Sequence, residues 1–327
     1  MRLKVLNTVR QGHDDRFTED FTRICIHWDL LLICNYKCSY CYARNPNFYK
    51  DGWLKLPGWD QQESIIESIS KCSHPMNIGL LGGEPTLYPH FHKVIDKLHN
   101  ECGYNEKFDV PNYIYTVTNG SQPREWFEKM KYYKDMSFLW SFHPEFAETE
   151  PFITNIKIMR DKGYGTKVNL ILHASKAFRG KLEQTYLRCK EEGFKVHPHF
   201  LYQEDANNLW RYSDDFWKWA KDWFGEEERD LEFQEYKDGK IVKHLFNDYE
   251  IYFNKINSFK GFNCMNSNYE INANGRVIMF CTDKVSSNLN EDPDFFARVG
   301  LNTMKCPHSF CNCDGLLKIK KYKDGYE

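Results

Sequence analysis

The chain has no run of about 18 or more apolar residues, so no membrane-spanning helix is expected. Its N-terminus, MRLKVLNTVRQGHDD, lacks the roughly 7–15-residue apolar core of a secretory signal, and a reducing cytoplasm is the expected location. No sign of charge dominates. The 44 Lys and Arg against 46 Asp and Glu leave a formal net charge of -2. That balance excludes a broad basic face, and nucleic acid is not an expected partner. Internal repeats and low-complexity tracts are also missing. The chain is well supplied with apolar and aromatic residues, at 41% and 16% of its 327 positions. It therefore fills a real core and is not mainly disordered.

Cysteine is the outlier, with 12 copies. In a reducing compartment, clustered cysteines point to metal or redox chemistry rather than a disulfide framework. Cys34, Cys38 and Cys41 sit together. Cys264, Cys281, Cys306, Cys311 and Cys313 form a spread C-terminal set. Cys25, Cys72, Cys102 and Cys189 stand alone and read as buried, inert thiols.

Strand-like and helix-like stretches alternate over the first two thirds of the chain. RICIHWDLLLIC, MNIGLLGG, YIYTVTNG, SFLWSFHPE, KVNLILHAS and FKVHPHFLYQED read as six strands. DQQESIIESISKC, HFHKVIDKLHNEC, PREWFEKMKYYK, PFITNIKIMRDKGY and GKLEQTYLRCKEEG read as the intervening helices, and FWKWAKDWF as a last aromatic one. The rhythm predicts parallel strands with helical crossovers. The expected fold class is α/β: a partial (β/α)6 TIM-like barrel over 1–225, then a small, cysteine-rich region with β-hairpins over 226–327. Asp238–Gly239 and Asn274–Gly275 are its expected hairpin turns. The terminal KIKKYKDGYE reads as a frayed basic tail.

CNYKCSYC places three thiols in a C-x3-C-x2-C loop after the first strand. Three thiolates converging on an iron–sulfur cubane leave one iron open to a small chelating molecule. A zinc knuckle is the plainer alternative, but zinc wants a fourth nearby ligand. His27 is the available one, and it lies inside the expected strand. Gly82-Gly83-Glu84-Pro85 follows one β/α unit later; glycines permit close backbone approach, and a carboxylate or carbonyl accepts from an ammonium.

These two elements together resemble the radical S-adenosylmethionine (radical SAM) enzymes over roughly residues 24–225. The resemblance implies a [4Fe–4S] cluster on Cys34, Cys38 and Cys41 with an open iron site for S-adenosyl-L-methionine. It implies a cofactor-binding set of Tyr42 near the adenine, Gly82, Gly83, Glu84 and Pro85 toward the methionine amino group, Asn119 at the third strand end, and Ser141 at the fourth. SFHPE around Ser141 departs from the serine–isoleucine–aspartate wording of many members, which leaves local hydrogen bonding as its other reading. The implied chemistry is one-electron cleavage to a 5′-deoxyadenosyl radical that abstracts a substrate hydrogen atom. His143, His173, His197, His199, Glu145, Glu204 and Asp205 fall at or beyond strand ends and are candidates for the substrate rim. Of these, His143 and His199 are taken as catalytic candidates, with ordinary loop hydrogen bonding as the alternative.

GFNCMNSNYEINANGRVIMFC and KCPHSFCNCDG resemble the auxiliary-cluster region appended to many radical SAM enzymes. Four of Cys264, Cys281, Cys306, Cys311 and Cys313 suffice for a second [4Fe–4S] cluster. The fifth, taken as Cys313, is then a spare thiol able to donate a hydrogen atom. Structural zinc, with His308 as a further ligand, is the competing reading. The expected reaction is oxidation, cross-linking or epimerisation of a peptide or protein residue. A small metabolite such as a sugar or aminocyclitol is the alternative substrate, and a non-enzymatic metal-binding interaction module the alternative of another class. The expected partners are the substrate, a one-electron reductant such as flavodoxin or ferredoxin, and a separate peptide-recognition protein, since only a short segment precedes the first barrel strand.

Overall fold

The computed structural model describes residues 5–10, 23–41, 56–203, 209–227, 229, 231–237, 240–282, 285–311 and 319–325. Strand β1 is Val5–Arg10. The six parallel strands that follow are β2 (Ile24–Leu31), β3 (Met76–Gly82), β4 (Tyr113–Thr118), β5 (Met136–Phe142), β6 (Thr166–Leu172) and β7 (Lys195–Phe200), adjacent in that order. Helices α1 (Trp59–Ser70), α2 (Phe91–Cys102), α3 (Arg124–Lys129), α4 (Thr149–Asp161) and α5 (Arg179–Glu191) connect them, and α6 (Asp214–Phe224) follows β7. This is the partial α/β barrel expected from the strand–helix rhythm.

Alternation along each strand sets the two faces of the sheet. Ile24, Ile26 and Trp28, then Ile78 and Leu80, then Phe138, Trp140 and Phe142, then Val168, Leu170 and Leu172 are buried in the core shared with the helices. The helices meet them with apolar stripes at helical spacing, such as Phe91, Val94, Ile95, Leu98 and Cys102 of α2. The opposite parity forms the inner face, and it is polar: Cys25, His27, Asp29, Asn77, Tyr115, Ser137, Ser141, Asn169, His197 and His199. The Tyr115 ring lies under Gly79, where a Cβ would come within 2.3 Å of it, and its hydroxyl reaches His27 Nε2 at 3.2 Å. Cys72, Cys102 and Cys189 are buried thiols, as expected; Cys25 instead is half-buried on the inner face, 3.9 Å from Asn77 Nδ2.

One helix is shorter than its sequence suggests. The PREWFEKMKYYK segment leaves the helix after Lys129, because Met130 turns into the core in an extended conformation. The Lys162 ammonium donates to the Glu128 and Met130 carbonyls, both 2.7 Å away, and so satisfies acceptors that another helical turn would have used.

Beyond α6, β8 (Leu231–Lys237) and β9 (Lys240–Phe246) form the first expected hairpin, and its turn residues lie outside the described ones. The pairing of β1 with β8 was not legible in the sequence. Helix α7 (Asp248–Phe253) begins with a reciprocal Asn247–Glu250 capping box. The second expected hairpin is β11 (Asn268–Ile271) and β12 (Arg276–Met279), turning at Gly275 with φ 86°. β11 also pairs in parallel with β2, Glu270 opposite His27, so this hairpin and β13 (Val285–Asn288) extend the barrel sheet to nine strands.

A third small sheet centres on β10 (Asn263–Cys264), flanked by β14 (Met304–Lys305) and β15 (Lys321–Tyr322). The expectation of a frayed tail is corrected here: Lys321 is 1% exposed, and backbone pairing holds it against Cys264. At the other edge of the barrel, Phe310 packs against Tyr202 and Tyr252. The C-terminal elements thus reach both edges of the open barrel. No helix among the described residues is long and apolar enough to cross a membrane.

Candidate active site

The loop with Cys34, Cys38 and Cys41 leaves the carboxyl end of β2. A tight turn brings the Cys41 N–H to the Cys38 carbonyl at 3.2 Å. Cys34 Sγ accepts from the Tyr36 backbone N–H at 3.4 Å and lies 3.8 Å from Asn119 Nδ2. Cys38 Sγ lies 3.6 Å from His143 Nδ1, which the Tyr40 hydroxyl approaches at 3.0 Å. Burial pushes the Cys34 thiol up to about 11 and the Cys38 thiol up to about 12, and the neighbouring thiols add to both shifts. Metal or cluster binding must therefore expel protons here. N–H groups aimed at Cys34 suit a thiolate, and three sulfurs on one loop suit a soft polynuclear centre.

The GGEP element braces this loop. Gly83 N donates to the Leu31 carbonyl at 2.7 Å and Glu84 N to the Ile33 carbonyl at 2.9 Å, which ties the exits of β2 and β3. A Cβ on Gly82 would stand 2.0 Å from the Leu31 oxygen and one on Gly83 2.3 Å from the Ile33 oxygen; Gly82 also has φ 115°. Only glycine fits that approach. Glu84 is 1% exposed. Its Oε1 accepts from the Thr86 hydroxyl (2.6 Å), the Thr86 N–H (3.2 Å) and the Thr118 hydroxyl (2.8 Å), and Oε2 accepts from the Asn119 N–H (2.6 Å). Burial raises its carboxyl, and these four donors offset the shift. Both carboxylate oxygens are thus engaged within the protein. Pro85 opens a short buried helical turn. Asn119 reaches from β4 to Asn35 at 3.0 Å as well as to Cys34. Ser141 lies on the inner face of β5, buried, opposite Asn169.

The Radical SAM superfamily model matches residues 30–179, the span from the end of β2 to the start of α5. Over that span the chain matches the radical SAM superfamily. It shares its fold with native anSMEcpe with bound AdoMet, at TM-score 0.51 and 14% identity over 83% of this chain and 81% of that one. Native anSMEcpe with bound AdoMet and Kp18Cys peptide gives 0.52 and 15% over 84% and 82%. Streptococcus suis SuiB gives 0.52 and 12% over 84% of this chain but 64% of SuiB. No curated protein matches the chain significantly.

Around this radical SAM loop stand side chains that sequence reasoning left as generic rim residues. Glu145 accepts from the Ser39 backbone N–H at 2.7 Å and from the Ser39 hydroxyl, and sits 3.2 Å from His173 Nε2. It fastens the cysteine loop to the ends of β5 and β6. His143 lies beside the cysteines; burial, helped by His199 nearby, pulls it down to about 4, so it is neutral at pH 7. His197 and His199 do share the inner face of β7, their ring centroids 6.3 Å apart. His197 is buried with Nδ1 2.9 Å from Asp248 Oδ2 of α7, which makes it a tie to the following region. Tyr42, Cys313, Glu204 and Asp205 lie outside the described residues.

The C-terminal cysteines come together from four segments. Cys264 sits on the central strand β10, Cys281 just past β12 with φ 63°, Cys306 just past β14, and Cys311 against Asn257, whose Nδ2 donates to its carbonyl at 2.7 Å. Burial pushes Cys281 up to about 12, and Cys311, Cys264 and Cys306 add to the shift, so the four thiols lie within electrostatic range of one another. Phe280 stacks edge-on against His27 at 4.9 Å, which sets this group beside the barrel lumen. Among the described residues, no three Cys, His, Asp or Glu side chains meet at single-ion spacing. Asp29 and Glu270, on the inner face between the two cysteine groups, were not singled out in the sequence; a lone acidic residue in an apolar strand was the available signal.

Proposed function

We propose that this radical SAM protein binds a site-differentiated [4Fe–4S] cluster at Cys34, Cys38 and Cys41 and oxidises or cross-links a peptide residue in its lumen. We assign residues 1–225 to the barrel and 226–327 to an auxiliary-cluster region. The observation that carries the reading is the three-cysteine loop at a strand's carboxyl end, fastened by Glu84, Asn119 and Glu145. When bound, the cluster and S-adenosyl-L-methionine supply a 5′-deoxyadenosyl radical that takes a hydrogen atom from an unactivated C–H bond.

The chain's own residues have separate tasks in this reading. Asn119 and the Tyr36 N–H orient and stabilise the Cys34 thiolate. His143 and Tyr40 do the same for Cys38. Gly82 and Gly83 leave backbone groups open to the cofactor's amino acid part, because both Glu84 oxygens are already engaged. Ser141 and Tyr42 complete the cofactor site, and His199 faces the substrate. Cys264, Cys281, Cys306 and Cys311 hold the auxiliary cluster, with Cys313 spare. The electrostatic proximity of these four thiols supports a shared metal centre there. A peptide substrate is supported by the fold shared with anSMEcpe, whose structures include bound peptides. A flavodoxin or ferredoxin reductant, a cytoplasmic location and a separate peptide-recognition protein complete the proposal.

The test is anaerobic reconstitution with iron and sulfide counting, then cofactor cleavage under dithionite. About eight irons, cleavage to 5′-deoxyadenosine, and a mass change in a candidate peptide are expected for two clusters. Stoichiometric zinc at the three-cysteine loop, or no cofactor cleavage by the iron-loaded protein, overturns it.

A further inference from the structure

Asp29 lies on β2, five positions before Cys34, with the same inward parity as His27. It is 6% exposed and has no hydrogen-bond or ion-pair partner among the described residues. Glu270 stands opposite His27 on β11, which makes it the diagonal neighbour of Asp29 on the same face. Burial raises both carboxyls, Asp29 well above the usual carboxylate range, and the Glu270 charge raises Asp29 further. His27 beside them supplies no positive charge, because burial pulls it down to about 4 and its Nε2 faces the Tyr115 hydroxyl. One register step past the Ile271–Trp28 pair, Asn272 is 2% exposed and leaves Nδ2 without a partner.

A buried carboxyl beside a half-buried one on the inner face, with no cationic partner among the described residues, is costly to keep. Nothing in the barrel's packing requires them, since the apolar residues of β2 point the other way into the core. A ligand with N–H donors and a positive charge would fill the empty acceptors and allow both groups to ionise.

We infer that Asp29 and Glu270 form a recognition site for a cationic group of the substrate, an alkylammonium or guanidinium, held in the lumen between the two cysteine groups. This rests on the reading that the lumen takes the substrate, and it narrows the substrate to one with a basic side chain or amine. Asp29 and Glu270 are specificity residues here; they bind and position, and move no electron.

The experiment is ligand-observed NMR on the anaerobically reconstituted full chain with saturating S-adenosyl-L-methionine. The probes are n-butylammonium and n-propylguanidinium, with n-butanol and butyrate as neutral and anionic controls. Cation signals at least about fivefold above butanol, lost in Asp29→Asn and in Glu270→Gln, are expected. Equal signals for cation and alcohol overturn the inference. So do cation signals that survive both substitutions. Cation signals seen only before S-adenosyl-L-methionine is added also overturn it, because the pair would then belong to the cofactor. Should Asp29→Asn not fold, Glu270→Gln carries the test alone, with iron content and circular dichroism as the check of folding. Cofactor cleavage on the same samples separates the two readings: selective cation binding without cleavage sinks the proposed function and leaves this site standing, and cleavage without selective binding does the reverse.

Discussion

The two cysteine groups are assembled by opposite routes. Cys34, Cys38 and Cys41 occupy one loop, and the fold only has to fasten that loop to the ends of neighbouring strands. Cys264, Cys281, Cys306 and Cys311 come from four segments that two different sheets bring together. A centre bound by the first group closes a small loop, whereas one bound by the second staples distant pieces of chain and so contributes more folding free energy.

Replacing all four C-terminal cysteines with serine should break the comparison most visibly. Melting of the reconstituted protein should fall by more than about 10 °C, with that region's iron lost. Alanine at Cys34, Cys38 and Cys41 should abolish cofactor cleavage yet shift melting far less, as calorimetry and product chromatography would show. Equal thermal losses from the two changes would contradict the contrast.

Glu84→Ala tests the brace of the local group. It strands four backbone or hydroxyl donors in a buried site. A loss of about 3 kcal/mol in denaturant unfolding is expected, with reduced iron at the loop. The same change should leave the C-terminal iron intact.

Acid stability sharpens the link between the regions at His27. Its folded value near 4 lies below the ordinary 6.5, so the stability it contributes is complete above 6.5 and is lost as pH falls toward 4. His27→Gln should flatten the melting temperature over that window. An unchanged pH profile would show that His27 is not held neutral between Phe280 and Tyr115.

The smallest effect is expected at the Lys305–Asp324 pair, which lies at the same small sheet as Cys264 and Cys306. Its side chains are 52% and 80% exposed at 2.5 Å separation. Asp324→Asn should leave the chemical-denaturation midpoint essentially unchanged. A clear loss would mean that surface charge, rather than strand pairing and bound metal, holds that sheet.

Much of the barrel was legible because its signals are local. Apolar strands such as MNIGLLG and helical stripes such as FHKVIDKL carry their own periodicity, and the C-x3-C-x2-C and GGEP elements carry their own spacing. What escaped were pairings between distant segments. The KVLNTVR stretch has no turn signal linking it to β8, over 200 residues away. The basic tail looked solvated because its charge hides the backbone pairing of Lys321 with Cys264. PREWFEKMKYYK kept helical propensity past Lys129, and only the burial of Met130 ended it.

The order of strands and helices, the cysteine loop and the glycines beneath it follow from the sequence alone, because each depends on residues a few positions apart. Tertiary structure decided the rest. It turned Glu84 inward to four donors, set Glu145 on Ser39, placed Asp29 beside Glu270 and gathered four thiols from separate segments. These are long-range contacts, fixed only once sheet register determines which side chains share a face.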